Sequence, residues 1–453
     1  MLNELREPVI TGQTRPESWR KLQLERFEEL LEGHENDVIN ALQEDLGKPP
    51  TEAFFEIIAL KQELKLVKKN LTKWMKPKRV NIPFSLQPGE AMVQLEPLGC
   101  VLIIGPWNYP FSLTLQPLIS ALAAGNTAIL KPSEQSPATS QLIEDLIRKY
   151  FPSEIVKVVQ GDGAIAAKLL EQPFDHIFFT GGGNTGKRIM SAAAKHLTPV
   201  TLELGGKSPA IVIQGADLTV TARRLIWGKA LNAGQTCIAP DHLLVQEQLK
   251  VPLINAMKQA LKDFYGPTPL KSPHLARIVN NRQYQRLNCL LNNAKQKGQV
   301  VFGGESNDQE KRITPTLIEI EDRNDPLMEE ELFGPLMPIL SITNLDAAIQ
   351  DIFYQPRSLA LYMFGGTTKD QKKLLEKTTS GGVCFNDVVM QAGIPELPFG
   401  GIGPSGMGKY HGKSGFETFS HQKSVLQRPF WLDLKFRYPP YKLSISVLKK
   451  LLG

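Results

Sequence analysis

Two kinds of hydrophobic spacing divide the first hundred residues. In residues 16–44 and again in residues 52–75, apolar side chains recur at helical spacing among many charges, which predicts amphipathic helices that bury one face. We expect packing and no chemistry from these helices. In residues 77–98 the pattern breaks into short extended pieces separated by prolines, which predicts an edge hairpin outside the main sheet.

Further along, short apolar runs alternate with helical patterns. Residues 100–104 are apolar and rich in β-branched side chains, as in a buried parallel strand, and similar runs occupy residues 128–131 and 176–180. Helical segments separate these runs, so the pattern predicts a doubly wound parallel sheet. A second alternating region, from residue 210 to about residue 387, predicts a second sheet of the same kind. The glycine-rich residues 400–413 are expected to bridge domains and not to join a sheet.

The composition is that of an ordinary globular protein. Hydrophobic residues make up 42% and charged residues 22% of the 453 residues, and a chain of this length usually has more than one core. The four cysteines form no C-x-x-C pair, which argues for a reducing compartment and against structural zinc. The N-terminus lacks the features of a signal peptide, and no apolar run is long enough to span a membrane. A cytoplasmic protein without a metal site is therefore predicted.

The net charge of +6 is concentrated at the C-terminus. Residues 428–453 carry six basic residues and one acidic residue, a net charge of +5, and this distribution argues against a nucleic-acid-binding body. Aromatic and apolar residues interleave with these charges, so residues 429–453 are predicted to form a basic amphipathic tail. The tail either packs on the body or on a partner subunit, or rests on an anionic membrane surface. The apolar side of its last helix is assigned to Leu443, Val447, Leu448, Leu451 and Leu452.

Cys237 is the candidate nucleophile. It ends the segment Gly234-Gln235-Thr236-Cys237, which places a free thiol on a loop where it can meet a substrate. The thiolate is the reactive form, and a covalent intermediate needs a second group to release it. Glu203 is a carboxylate that could activate water for that step. The other three cysteines are expected to be small buried hydrophobic residues.

A glycine-rich turn at residues 181–187 allows two interpretations. Gly181, Gly186 and Lys187 match the G-x-x-x-x-G-K spacing of the phosphate loop of nucleotide hydrolases. Arg188, however, stands where that loop needs Ser or Thr to hold magnesium. The alternative is that Gly181 and Gly186 open a helix whose N-terminal amides face the pyrophosphate of a dinucleotide.

Several motifs in a fixed order point to one family. Glu203-Leu204-Gly205-Gly206-Lys207 and the Cys237 segment resemble the paired signatures of the aldehyde dehydrogenase superfamily, and the resemblance runs from about residue 6 to residue 428. Residues 193–199 and 410–414 are similar to the class 3 and fatty-aldehyde branch. Further matches are Gly105-Pro106-Trp107-Asn108-Tyr109-Pro110, Lys131-Pro132-Ser133-Glu134, Glu331-Leu332-Phe333-Gly334-Pro335 and Leu397-Pro398-Phe399-Gly400-Gly401.

The resemblance implies an oxidoreductase of the EC 1.2.1 type that converts an aldehyde to the acid through a cysteine thioester. NAD is the expected cofactor, with NADP left open. The Asn108 amide and the Cys237 backbone N–H would form the oxyanion hole, and either Glu203 or Glu331 would be the general base. The residues implied for the cofactor are Lys131 and Glu134 at the adenosine ribose and Glu331 and Phe333 at the nicotinamide end. An acylating or phosphorylating relative, which passes the thioester to coenzyme A or phosphate, is the alternative.

Taken together, the pattern and the resemblance predict an α/β fold. Two doubly wound open parallel sheets, one for the cofactor and one for catalysis, are joined by a small β bridging or oligomerisation arm. The resemblance also implies a homodimer and a medium- or long-chain fatty or isoprenoid aldehyde as substrate. The predicted segments are residues 1–78 and 98–203 for the NAD(P)-binding domain, 204–393 for the catalytic domain, 79–97 and 394–428 for the arm, and 429–453 for the tail.

Overall fold

The computed structural model describes residues 2–452, without the side chains of Ser85, Phe436, Leu451 and Leu452. Its helices are α1 (Leu2–Ile10), α2 (Glu17–Leu31), α3 (Glu35–Leu46), α4 (Pro50–Met75), α5 (Ser112–Ala124), α6 (Pro137–Tyr150), α7 (Gly163–Leu170), α8 (Gly183–Ala193), α9 (Leu218–Ala230), α10 (Glu247–Tyr265), α11 (Asn281–Gln296), α12 (Leu345–Phe353), α13 (Thr368–Lys377), α14 (Gly412–Thr418) and α15 (Ile445–Leu452).

The strands alternate with these helices through most of the chain. They are β1 (Lys78–Val80), β2 (Glu90–Pro97), β3 (Cys100–Ile104), β4 (Thr127–Lys131), β5 (Val156–Val158), β6 (His176–Thr180), β7 (Val200–Glu203), β8 (Pro209–Val212), β9 (His242–Gln246), β10 (Val300–Phe302), β11 (Ser306–Asn307), β12 (Arg312–Ile313), β13 (Thr316–Glu319), β14 (Leu336–Ile342), β15 (Ala360–Phe364), β16 (Gly382–Phe385), β17 (Gly406–Met407) and β18 (Ser420–Gln427).

The first sheet has the order β17-β7-β6-β3-β4-β5. Strands β3 to β7 are parallel, and every residue of β3, β4 and β6 is buried, which explains their unbroken apolar runs. The chain order reverses between β3 and β6, so a crevice opens beyond the carboxyl ends of these two strands. Strand β17 pairs antiparallel with β7, so the expectation that residues 400–413 join no sheet is wrong.

The second sheet has the order β10-β13-β14-β9-β8-β15-β16. All its neighbours run parallel except β10, which pairs antiparallel with β13 at the edge. Residues of α9 and α10 pack on one face of the sheet, and residues of α11, α12 and α13 pack on the other. The predicted α/β fold with two doubly wound sheets is confirmed.

A separate three-stranded antiparallel sheet has the order β1-β2-β18. Strand β2 pairs along its whole length with β18, so Glu90 faces Gln427 and Pro97 faces Ser420. The predicted edge hairpin therefore exists, and it gains a third strand from the far end of the chain. The division of the chain into domains stays a prediction.

The tail beyond β18 is exposed. Phe430 and Trp431 lie in solvent, and so do Ile445 and Val447 of α15. Of the predicted apolar side, Val447 is exposed and Leu443 and Leu448 are half-buried, and the side chains of Leu451 and Leu452 lie outside the described residues. Within residues 2–452 no helix is both long enough and apolar enough to cross a membrane.

Candidate active site

A strained turn presents Cys237. Helix α9 ends at Ala230, and a 3-10 turn follows in which Asn232 and Ala233 adopt φ values of +52° and +53°. Such values are uncommon for residues with a side chain and persist only where the surroundings fix them. Gly234 has φ +76°, and a Cβ there would lie 2.3 Å from the carbonyl oxygen of Gly334. Only glycine fits this position, so the motif reflects a steric requirement.

Gln235 locks the same turn. Its Nε2 donates to the carbonyl oxygens of Asn232 at 3.0 Å and Arg277 at 2.8 Å, and its Oε1 accepts from the Val279 N–H at 2.9 Å. The whole side-chain amide is therefore used to hold backbone, and Gln235 is fully buried. The loop that carries Cys237 is therefore connected to residues 277–279, which are distant in sequence.

Two cavities meet at Cys237. A polar cavity of about 630 Å³ is lined by the glycine turn after β6, by Asn108, by Glu203 and by Glu331. An apolar cavity of about 470 Å³ is lined mainly by aromatic and aliphatic side chains, among them Phe55, Leu113, Trp227, Ile238, Val389, Phe399 and Tyr410. Among the described residues, Cys237 alone lines both cavities. The thiol therefore stands where a polar and an apolar ligand could touch.

Asn108 lies on the loop that follows β3, at the sheet edge predicted to bind ligands. It is buried, and its Nδ2 donates to the carbonyl oxygen of Gln235 at 3.0 Å. A side-chain amide has two N–H donors, so one remains for a group in the polar cavity. The structure thus brings Asn108 and Cys237 to one cavity wall.

Glu203 ends β7 and is buried, and neither of its carboxylate oxygens has a hydrogen-bond partner. Burial raises the pKa of Glu203 well above its usual value, because a charge without partners is costly in a dry site. Its place in the wall of the polar cavity gives it access to whatever is bound beside Cys237. An unpaired carboxyl group of this kind suits proton transfer.

Glu331 also lines the polar cavity, but its surroundings differ. Its carboxylate lies over Gly205, where an added Cβ would be 2.2 Å from Oε2. Burial and the nearby Asp241 raise the pKa of Glu331 to about 8, although the Gly206 N–H, Lys207 and Lys229 act in the opposite direction. Glu331 is therefore held by neighbours, whereas Glu203 is not.

The same surroundings keep Cys237 protonated in the absence of a cation. Burial raises the pKa of the Cys237 thiol to about 12, and the carboxylates of Glu331 and Glu203 add to the rise. The backbone N–H groups of Cys237 and Ile238 oppose it. A positive charge entering the polar cavity would lower this pKa by direct attraction.

The glycine turn suits a phosphate-bearing ligand. Helix α8 begins at Gly183, and a Cβ added at Gly182 or Gly183 would meet no atom within 4 Å. The free N–H groups of the first helical turn attract an anion in the polar cavity. Gly186, in contrast, packs against Leu204, and Lys187 is exposed and does not line the cavity. The arrangement therefore favours the dinucleotide interpretation of the turn.

Of the other residues assigned to the cofactor, some lie at the end of strand β4 and some line the polar cavity. Lys131 and Glu134 lie at the carboxyl end of β4, where Lys131 Nζ is 2.9 Å from Glu134 Oε2, and neither lines the polar cavity. Phe333 does line it and makes an edge-to-face contact with Trp107 at a centroid distance of 5.3 Å. A dinucleotide fits these groups, with helix amides for its phosphates, a carboxylate for its ribose and an aromatic corner for its nicotinamide.

Some expectations about buried groups are wrong. Cys289 is exposed on α11, although Cys100 is buried as expected. Helix α4 does more than pack, because its Glu52 accepts a hydrogen bond from the Asn232 N–H at 2.8 Å and its Glu56 contacts the Asn108 loop. The sequence carried a signal for this, since Glu56 and Glu63 interrupt the apolar stripe of the helix.

Comparisons with known proteins agree on one family. Residues 12–425 match the model of the aldehyde dehydrogenase family. A 4,4'-diaponeurosporen-aldehyde dehydrogenase of Staphylococcus aureus is 43% identical over 97% of this chain and 95% of that protein. A dimeric NADP-preferring aldehyde dehydrogenase of Canis lupus familiaris is 43% identical over 97% of each chain. The solved substrate-bound state of Staphylococcus aureus AldH is 42% identical, with a TM-score of 0.96 over 100% of this chain and 98% of that one.

Proposed function

The chain belongs to the aldehyde dehydrogenase family, and we propose that it oxidises an apolar, medium- or long-chain fatty or isoprenoid aldehyde to the carboxylic acid through a thioester on Cys237. The observation that carries this proposal is the position of Cys237 between the polar and the apolar cavity. Enzymes of this family use NAD or NADP. The polar cavity suits such a dinucleotide, which leaves the apolar cavity for the aldehyde.

The apolar cavity supports the substrate class. Its wall is formed by Trp227, Phe399 and other large apolar side chains, and its polar groups are few. Burying one methylene group contributes about 0.8 kcal/mol, which corresponds to about a fourfold gain in affinity. An aldehyde chain that follows this wall would therefore bind more tightly with each added carbon until the cavity is filled. The 43% identical relative from Staphylococcus aureus is named as a dehydrogenase of 4,4'-diaponeurosporen-aldehyde.

The groups that would hold the cofactor are the backbone N–H groups of residues 182–184, Lys131 and Glu134, and Phe333. When bound, the oxidised nicotinamide supplies the acceptor for the hydride that leaves the aldehyde carbon. Its ring is positively charged, and this charge would favour the Cys237 thiolate over the thiol. Glu134 would disfavour a 2′-phosphate by repulsion, so we propose NAD as the preferred cofactor and NADP as an accepted one.

The protein groups then divide the remaining work. The Cys237 sulfur bonds to the aldehyde carbon, and the carbonyl oxygen becomes an oxyanion that accepts from the free Asn108 N–H and the Cys237 backbone N–H. Loss of the hydride restores the carbonyl as a thioester. Glu203 takes a proton from water, the water oxygen adds to the carbonyl carbon, and the C–S bond breaks to release the acid and the thiolate. We assign the base to Glu203 because its oxygens are unpartnered, whereas Glu331 is held by its neighbours.

The test is the initial rate of NAD reduction with linear aldehydes of increasing length, without phosphate or coenzyme A. A kcat/KM that rises with chain length supports the proposal, and one that is highest for the shortest aldehydes contradicts the apolar substrate. Phosphate and coenzyme A are then added in separate assays. A rate that depends on either would assign the chain to the phosphorylating or acylating alternative.

We propose also that the protein is a homodimer and that its tail contacts a membrane surface. The relative from Canis lupus familiaris is named as dimeric. The tail exposes Phe430, Trp431, Tyr441 and Ile445 beside Lys442, Lys449 and Lys450, a combination that suits an anionic lipid surface. Sedimentation equilibrium would show the subunit number, and a monomer over the whole concentration range would contradict the dimer.

A further inference from the structure

Lys48 and Glu56 form a buried ion pair next to residues 108–112. Lys48 Nζ lies 2.6 Å from Glu56 Oε1, and the two side chains are 0% and 1% exposed. Removing two charges from water is costly, and their attraction repays the cost only when further hydrogen bonds complete the pair. The groups that receive these further bonds therefore indicate what the pair does.

All the further bonds go to one short segment. Lys48 Nζ donates to the carbonyl oxygen of Asn108 at 3.1 Å and lies 4.1 Å from the ring centroid of Tyr109. Glu56 Oε2 accepts from the N–H groups of Phe111 at 3.1 Å and Ser112 at 2.9 Å, and from the Ser112 hydroxyl at 3.1 Å. The cation thus holds the beginning of residues 108–112, and the carboxylate holds the end.

This segment also contacts the loop that carries the thiol. The Asn108 carbonyl oxygen accepts from Asn232 Nδ2 at 2.8 Å, while its side-chain amide donates to the Gln235 carbonyl oxygen at 3.0 Å. The Tyr109 hydroxyl is 2.7 Å from Thr236 Oγ1, next to Cys237. Lys48 therefore contacts both Asn108 and Tyr109, the two residues whose bonds connect this segment to the loop that carries the thiol.

We propose that Lys48 and Glu56 are positioning residues that aim the free N–H of the Asn108 amide at the substrate oxyanion. The proposal rests on the proposed function, because it takes Asn108 as an oxyanion donor. Neither side chain lines the polar cavity, and Glu56 lines the apolar one. Because their bonds go to the two ends of residues 108–112, both are placed to act on the orientation of Asn108. A shift of about 1 Å in a catalytic group can cost about 10²-fold in rate, which sets the size of the expected effect.

The experiment compares each substitution in two backgrounds. Lys48→Met removes the cation, and Glu56→Gln keeps an oxygen for the two backbone N–H groups while it removes the charge. Each is made in the wild type and in Asn108→Ala, and kcat and the KM for NAD are measured below the unfolding transition. Arg20→Met is the matched control, because Arg20 is a buried cation that donates to the carbonyl oxygens of Thr14 and Ala123, away from the catalytic loop.

We expect Lys48→Met to lower kcat by about 10²-fold and to leave the KM for NAD within about twofold. In the Asn108→Ala background it should lower kcat by less than about twofold, since the group it positions is gone. Glu56→Gln should show the same dependence on background with a smaller loss, and Lys48→Arg should restore most of the rate. Arg20→Met should lower the melting temperature without changing kcat.

Three results would overturn the inference, and they differ in what else they refute. Equal losses of kcat for Lys48→Met and Glu56→Gln in both backgrounds would mean that the pair acts on the fold and not through Asn108. An Asn108→Ala variant with the kcat of the wild type would instead refute the oxyanion role of Asn108 in the proposed function, and the positioning role would fall with it. Retention of wild-type kcat by Lys48→Met would overturn the inference alone.

Discussion

Replacing Glu203 by Gln tests the release step in isolation. The amide has the size of the carboxyl group but cannot accept a proton. Because both oxygens of Glu203 lack partners in the structure, the substitution breaks no hydrogen bond. A buried group whose pKa is raised well above its usual value already favours the neutral form, so a neutral amide should not lower the melting temperature.

The expected loss lies in deacylation. A positioned general base contributes about 10² to 10⁴-fold to a proton-transfer step, so the steady-state rate of Glu203→Gln should fall by that factor. Formation of the thioester needs Cys237 and Asn108 but not this base. Rapid mixing with aldehyde and NAD should therefore give a burst of NADH equal to the active-site concentration, followed by slow turnover.

The pH dependence has a defined sign. The basic form of Glu203 exists only above its pKa, which burial raises, so the steady-state rate of the wild type should increase as pH rises through that pKa. The variant should lack this rise. A variant that turns over like the wild type, or one that shows no burst, would refute the assignment.

Glu331→Gln is the matched control. The Glu331 carboxylate is held by the Gly206 N–H and lies near Lys207 and Lys229, at the part of the polar cavity assigned to the cofactor. Its substitution should raise the KM for NAD and leave no burst. A burst in Glu331→Gln and none in Glu203→Gln would exchange the two roles.

Three further predictions concern stability, the cofactor and the tail. Burial raises the pKa of Glu63 from 4.5 to about 7, so the contribution of Glu63 to stability is full below pH 4.5 and is lost as pH rises to about 7. Urea denaturation should therefore show that the free energy of unfolding of Glu63→Gln gains about 3 kcal/mol over that of the wild type between pH 4.5 and pH 8. No gain would contradict this. Gly182→Leu adds a side chain where no protein atom lies within 4 Å of the added Cβ, so the melting temperature should not change. The side chain would occupy the space proposed for the cofactor phosphates, and steady-state kinetics should show a KM for NAD raised by about tenfold. An unchanged KM would mean that the phosphates bind elsewhere. Truncation after Arg428 should reduce sedimentation with anionic vesicles and change the chain-length preference, and the tail has neither role if both stay the same.

Much of the fold could be predicted because buried elements have a recognisable pattern of apolar residues. Strands β3 and β6 are buried on both faces, and such strands are apolar without interruption. Strand β17 was not predicted because its two residues, Gly406 and Met407, are too few to show the alternation typical of a strand. The exposure of Cys289 was missed because its helical neighbours were taken to be apolar.

Site residues could be predicted from the sequence where the local structure allows only one type of residue. Gly234 tolerates no side chain beside Gly334, and Asn108 follows a buried strand into the sheet edge where ligands bind. The motifs could not separate Glu203 from Glu331, because the difference lies in partners from other segments. Glu56 interrupts the apolar stripe of its helix, but its pairing with Lys48 could not be predicted, because the bonds of both residues reach residues 108–112 only after folding.

In the proposed reaction an apolar aldehyde becomes an acyl group on Cys237. The most direct measurement is the mass of Glu203→Gln after quenching with acid in the presence of a long-chain aldehyde and NAD, followed by peptide mapping. We expect one acyl group per chain, attached to Cys237 and absent from the Cys237→Ala variant made in the same background. No added mass while NADH is formed, or an acyl group on Cys100, Cys289 or Cys384, would contradict it.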